Sequence, residues 1–243
     1  DGSDGTLTVT AANTILNNYT YLMLNETSGN ISLSVNDSSE FAVGDSILLI
    51  QMQNYSIGVA GQYEFATIST INGNTINIST ALTKDFYSGA FNQTNTSTVT
   101  QVITVPQYTT LTIDSGGEIS APAWDGYTGG IVALKASTQV NVTGIINTTG
   151  DGYRGGAFGV PCSPSRGTAG ESVDGLGYTI TTANFGGGGG AHSVDWAPGG
   201  GGASYATSGT AGTLSPSYGG GGTVGAAGSL LGNETLPQLL IGS

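Results

Sequence analysis

The sequence predicts an all-β protein, an antiparallel sandwich or barrel followed by a glycine-rich, β-solenoid-like region. Three observations carry this. Apolar residues alternate with polar ones over most of the first 150 positions, and no stretch shows the 3.6-residue period of an amphipathic helix. The pair Asn72-Gly73 separates two alternating runs, the strongest short hairpin signal. Glycine supplies 42 of 243 residues, and more than half of them follow residue 160.

Taken in order, residues 6–10 (TLTVT) and 31–35 (ISLSV) alternate cleanly and read as half-buried strands. Residues 46–52 (SILLIQM) form a continuous apolar run, the pattern of a strand buried on both faces. Residues 63–71 and 75–79 flank the predicted type I′ turn, whose central residues need positive φ. Residues 108–120 and 138–149 share one plan: an alternating strand, a glycine turn, then a second strand with isoleucine. Leu111 and Val140 are 29 positions apart, and Ile119 and Ile146 are 27 apart. That near-period points to stacked rungs.

Four regions follow. Residues 1–24 form an N-terminal strand segment able to act as a donor strand. Residues 25–105 form the sandwich or barrel, and 106–155 the solenoid-like rungs. Residues 156–243 form the glycine-rich region, ending in a short aliphatic tail. Its glycine runs at 186–190, 199–202 and 219–222 are flanked by Phe185, Trp196, Tyr205 and Tyr218. A flexible linker has little use for such rings, so ordered, closely packed extended backbone is expected instead.

Composition removes whole classes of function. Only 8% of residues are charged, against about 25% in an ordinary soluble domain. The net charge is −12, so no basic patch is available for nucleic acid or for an anionic membrane surface. Hydrophobic residues reach 37%, enough for a core. No apolar run approaches the roughly 20 residues of a membrane-spanning helix. A single cysteine, Cys162, allows no internal disulfide and is expected to be buried. If the protein is exported, Asp1 is expected to begin the processed form.

Sixteen asparagines are present, and eleven lie in Asn-x-Ser/Thr sequons: Asn18, Asn25, Asn30, Asn36, Asn54, Asn77, Asn92, Asn95, Asn141, Asn147 and Asn233. With Ser and Thr at 58 residues, chance gives about four. N-linked glycans on an extracellular protein are the expectation. Alternation supports it. Asn77 lies between Ile76 and Ile78, and Asn141 between Val140 and Val142, so inward aliphatics turn both asparagines outward.

The segment Trp124-Asp125-Gly126, the segment Gly129-Gly130-Ile131-Val132 and the segment Gly150-Asp151-Gly152-Tyr153-Arg154-Gly155-Gly156, with polyglycine following, resemble glycine-rich β-solenoid-like surface proteins of bacteria and archaea. So does the opening Asp1-Gly2-Ser3-Asp4-Gly5 ahead of a threonine-rich strand. The sequon load resembles archaeal filament (pilus or thread) subunits. That resemblance implies an all-β glycoprotein that polymerises by donating an N-terminal strand to its neighbour.

Other chemistry finds little support. Gly150-x-Gly152-x-x-Gly155 matches a dinucleotide fingerprint in spacing, but no helix can start in the glycine- and proline-rich stretch after it. His192, Ser193 and Asp195 are too close in sequence for triad geometry. Glu118, Asp125, Asp151 and Asp174 are candidates for glycoside chemistry, yet acids beside glycine also simply make turns. A structural calcium is the metal best suited to Asp1, Asp4 and Asp151, without a complete ligand set.

The expected function is therefore structural and not enzymatic: a subunit of a glycosylated extracellular or cell-surface filament. Its partners are identical subunits, joined when residues 6–24 leave one subunit and complete an open sheet in the next. The second expectation is an adhesin or carbohydrate-binding module contacting surface glycans or other cells, with exposed Trp124, Trp196 and tyrosines as stacking platforms.

Overall fold

The computed structural model describes residues 1–55, 59–156, 168–177, 210–213 and 224–227. The expectations at Cys162, His192, Trp196, Tyr205, Tyr218 and Asn233, at the glycine runs and at the aliphatic tail lie outside the described residues. Among the described residues there are twelve strands and no helix, in keeping with the all-β expectation. The chain divides into two compact units, 1–51, 63–89 and 99–152 in one, 52–62, 90–98 and 153–243 in the other. These units interleave along the chain.

In the first unit, six strands form one antiparallel sheet. They are β3 (Tyr19–Tyr21), β4 (Ser32–Ser34), β5 (Ser46–Asn54), β6 (Tyr63–Asn72), β7 (Thr75–Ile78) and β8 (Thr98–Thr104), in the order β3-β8-β5-β6-β7-β4. The sheet curls until its edges meet. Leu22 bridges Val35 beyond the ends of β3 and β4, Met23 N donates to Ser34 O at 2.8 Å, and Asn36 N donates to Tyr21 O at 3.0 Å. The result is a curled half-barrel whose edges touch at one isolated bridge. Leu22, Leu33, Ile47, Leu49, Ile76 and Phe86 fill the interior. Burying each contributes about 1.5–3 kcal/mol.

Local sequence explains each element. The run of β5 is buried at every position, including Gln51 at 0% exposure. That glutamine is tolerated because its Nε2 donates to the carbonyls of Tyr87 and Val99 while its Oε1 accepts from Tyr87 N. The hairpin between β6 and β7 forms, with its turn displaced by one residue. Asn72 pairs with Thr75, so Gly73 and Asn74 make the loop, and Gly73 carries the positive φ of 54°. A glycine at the first central position suits a II′ turn better than the I′ turn expected.

The same unit also holds short parallel rungs. β1 (Thr6–Val9), β9 (Gln107–Ile113) and β11 (Lys135–Val142) form one three-stranded sheet in the order β1-β9-β11. β2 (Thr14–Ile15), β10 (Glu118–Ser120) and β12 (Ile145–Ile146) form another, in the order β12-β10-β2. Leu7 pairs with Leu111 and Leu111 with Val140; Val9 pairs with Ile113 and Ile113 with Val142. Ile119 pairs with Ile146. Val140 and Ile146 thus lie beside the residues whose sequence spacing pointed to stacking. The third layer comes from residues 6–15. In this structure the N-terminal segment is paired within its own chain, in the rungs and, through β3, in the barrel.

The rungs approach closely because their turns carry glycine. A Cβ at Gly117 would overlap the carbonyl oxygen of Val9, and one at Gly144 would overlap that of Gly117. The buried core of the stack is Val9, Leu111, Ile113 and Ile119.

Among the described residues of the second unit there is a buried charge. Glu171, 2% exposed, receives Arg154 Nε at 2.7 Å and Gln53 Nε2 at 2.8 Å. Arg154 Nη2 also donates to Asn92 Oδ1 at 2.7 Å, and the Tyr153 hydroxyl donates to Met52 O.

Rung packing makes a direct prediction. Gly144→Ala should lower unfolding free energy by about 1–3 kcal/mol, whereas Gly155→Ala, with open space around it, should stay within about 0.5 kcal/mol. Denaturant melts of both variants check this; an unaltered melt for Gly144→Ala would contradict the close turn-on-turn contact.

Candidate functional site

Two surfaces of the first unit stand out. The first is the outer rung. Val140 and Val142 are each 48% exposed, Ile145 51% and Ile146 46%. Yet Val140, Val142 and Ile146 continue the columns whose inner members, Leu111, Ile113 and Ile119, are fully buried. The exposure arises because, among the described residues, no strand pairs with the outer edges of β11 and β12. Residues along a parallel strand alternate in the direction of their backbone groups. Ile145 N donates to Gly117 O and Asn147 N to Ile119 O, both inward. The N–H of Ile146 therefore faces the open side.

The second surface is a cleft of about 330 Å³ lined by Tyr19, Tyr21, Asn36, Asp37, Asp125 and Tyr127 together with two threonines. The Tyr21 and Tyr127 rings lie 5.1 Å apart and tilt by 37°. Asp125 Oδ1 accepts from Tyr127 N and Thr128 N, both at 2.8 Å, and this Asx turn holds the backbone at Tyr127. Across the cleft, Asp37 Oδ1 accepts from Ser39 N at 2.9 Å, and Asp37 N donates to Thr20 Oγ1 at 3.1 Å. The Ser39 backbone hydrogen bond lowers the Asp37 carboxyl below its ordinary value. The Tyr21 phenol is raised, by burial first and then by Tyr127 and Asp125. Tyr19 donates its hydroxyl to Ile131 O at 2.7 Å. The Asp-Gly-Tyr-Thr turn was legible in sequence; its meeting with Tyr21, more than a hundred positions away, was not.

The sequon asparagines are spread over the described surface. Asn25, Asn36 and Asn141 are exposed, and Asn18, Asn30, Asn77, Asn92, Asn95 and Asn147 are partly so. Asn54 is 3% exposed, the most buried of the described sequon asparagines. Asn77 stands between Ile76 and Ile78, both buried, as alternation requires. Beside Asn141 the flanking valines are half exposed, since their rung is the last among the described residues. Asn147 Nδ2 donates to Glu118 Oε1 at 2.9 Å, so that side chain is already engaged in the stack.

Other expected site residues are scattered. Trp124 is 3% exposed, so it is a core residue and not an open stacking platform. Glu118 lies between Asn13 N and Asn147; Asp125 lines the tyrosine cleft; Asp151 raises the phenol of Tyr19. Asp174 belongs to the second unit, where burial raises its carboxyl above the ordinary value. Asp1 Oδ1 accepts from Ser3 N, and Asp4 Oδ2 from Gln107 N. Among the described residues no three His, Cys, Asp or Glu side chains converge as metal ligands, and no helix is long and apolar enough to cross a membrane.

No family model and no curated protein matches the chain. Among solved structures, the tailspike Gp54 of Acinetobacter baumannii bacteriophage AP22, in complex with capsular saccharide, is similar over 47% of this chain at 14% identity and a TM-score of 0.29. The tailspike gp61 of Pseudomonas phage phi297 is similar over 49% at 12% identity, also with a TM-score of 0.29. The matches cover 19% and 20% of those chains. Likeness at this level carries no residue role across.

Burial sets an alkaline limit on the cleft wall. The Tyr19 phenol is raised well above its ordinary value, by burial first and then by Asp151, and Tyr153 is raised by burial and then by Glu171 and Asp174. Both are neutral when folded, and an unfolded phenol ionises near pH ~10. The stability they contribute is thus full below about pH 10 and is lost as pH rises toward the folded values. Denaturant melts at pH 8 through 11 should show that decline, and Tyr19→Phe should make it shallower. A flat profile would contradict the burial of both phenols.

Proposed function

We propose that the protein is a structural subunit of an extracellular, N-glycosylated filament whose subunits join by β-strand addition. The observation that supports this most is the outer rung, where an in-register apolar column ends half exposed beside an edge with which no strand among the described residues pairs. The opposite face of the stack is the N-terminal rung, β1 and β2. Leu7, Leu111 and Val140 occupy one column, so a second copy laid on β11 brings its Leu7 over Val140 and its Val9 over Val142. Its Thr14 comes over Ile146.

Charge favours the same register. Asp4 and Lys135 both lie beside Gln107, from opposite sides, so Asp4 of the added copy meets Lys135 of the first. A head-to-tail contact of this kind does not close, and it builds a fibre. The N-terminal segment remains the joining element, although here it stays paired in its own subunit while offering its outer edge. Withdrawing residues 6–24 altogether would exchange the same pairs between subunits and cost each chain its own β1 to β3. Sugars on exposed Asn25, Asn36 and Asn141 would coat the fibre. An extracellular location and the absence of catalysis belong to this same reading.

Ile146→Pro tests the edge. It removes the N–H facing the open side while the inward bonds of Ile145 and Asn147 remain, and proline is tolerated at a strand edge. Electron microscopy of native-source protein should show filaments, and the variant should yield folded monomers. Filaments that persist in Ile146→Pro would sink rung addition; monomers with bare asparagines in the native material would sink the filament reading itself.

A further inference from the structure

We propose that the cleft lined by Tyr21 and Tyr127 binds an uncharged pyranose sugar, a capacity separate from assembly. The two rings meet at 5.1 Å with a tilt of 37°, and the cleft they help to line holds about 330 Å³. That is the lower end of ligand-site volumes, the scale of a mono- or disaccharide. The C–H face of a pyranose packs on an aromatic ring, while its hydroxyls need acceptors and donors around the rim. Asp37, Asp125 and Asn36 supply carboxylate and amide groups on both sides of the rings.

The cleft is preorganised. Asp125 is fixed by accepting Tyr127 N and Thr128 N, and Asp37 by accepting Ser39 N. The backbone of Asn36 is tied to Tyr21 O at 3.0 Å. Groups held in this way lose little freedom on binding. The charge sets the selectivity. Two carboxylates at the rim, on a chain of net charge −12, disfavour uronic acids, sulfated sugars and phosphosugars. The ligand is thus a neutral hexose or N-acetylhexosamine. It has two sources of identical chemistry: a sugar from outside, or the glycan attached to Asn36 at the rim of the same cleft.

The experiment uses the full chain produced without glycosylation, probed by saturation-transfer NMR with methyl glucoside, N-acetylglucosamine and methyl glucuronide. Binding to the two neutral sugars with rejection of the glucuronide is expected, and Tyr127→Ala should weaken it roughly tenfold. Asp37→Asn, which keeps the oxygen that accepts Ser39 N, should retain the neutral sugars and bring the glucuronide severalfold closer to them. On glycosylated protein, binding to Asn36→Gln but not to the parent would identify the Asn36 glycan as the occupant, and equal binding to both an external sugar. No saturation transfer to the unglycosylated chain, binding indifferent to Tyr127→Ala, or preference for tetramethylammonium over every sugar would overturn the proposal. None of these outcomes bears on filament formation.

Discussion

Parallel backbone pairing between distant parts of the chain is the constraint on which the first unit depends. Thr6 pairs with Thr110, and Thr110 with Gln139. Each contact closes a long loop before it gains a hydrogen bond, an entropic cost that local structure does not carry. What offsets it is the repetition of one register through three layers, with Leu7, Leu111 and Val140 in a column and glycine at Gly117 and Gly144 where the turns touch. Among the described strands, none pairs with the outer edge of the last layer. In the column of Val9, Ile113 and Val142 the first two residues are buried and the third is half exposed.

A chain with so few charges holds its loops by amides. Asn17 Nδ2 reaches both Thr104 O and Ala133 O. Gln101, fully buried, gives Nε2 to Gly129 O and accepts Gly129 N at Oε1. Together with the hydroxyl of Tyr19 on Ile131 O, these bonds pin the segment 129–133 to strands of the barrel. Each is a buried polar group fully used, which avoids the desolvation penalty an unpaired amide would suffer. Because that segment follows directly from the Asp125 turn, the same bonds hold Tyr127 opposite Tyr21.

Much of this was legible in the sequence. Period-2 alternation pointed to β1, β4, β6, β7, β9 and β11 but missed β3 and the central strand β8; the continuous run from Ser46 pointed to the buried β5, and a spacing of 29 positions to the partners Leu111 and Val140. What escaped is long-range. Residues 6–15 alternate as any strand would, and nothing local says that they form a rung against Thr110 and Ile119. Asn72-Gly73 announced a hairpin but not which pair would occupy the turn, because Gly73 alone needs positive φ. Trp124 beside Asp-Gly reads as an exposed turn residue, yet packing takes it inside. Asn54 carries a valid sequon at the end of a strand whose burial continues to its last residue. The cleft was hidden for the same reason as the rungs: its rings come from opposite ends of the unit.

The central claim, that the N-terminal rung of one copy adds to the outer rung of another, is tested most directly by placing cysteines at Leu7 and Val140 in a chain whose own Cys162 is replaced by serine. Within one chain these positions are separated by two strand spacings, about 9.6 Å, too far for a disulfide. Between copies in the expected register they are adjacent. Oxidation of the assembled double variant should give a ladder of covalent oligomers that reduction collapses, with neither single variant forming more than dimers. Filaments of the double variant that oxidise without a ladder would contradict rung-on-rung addition.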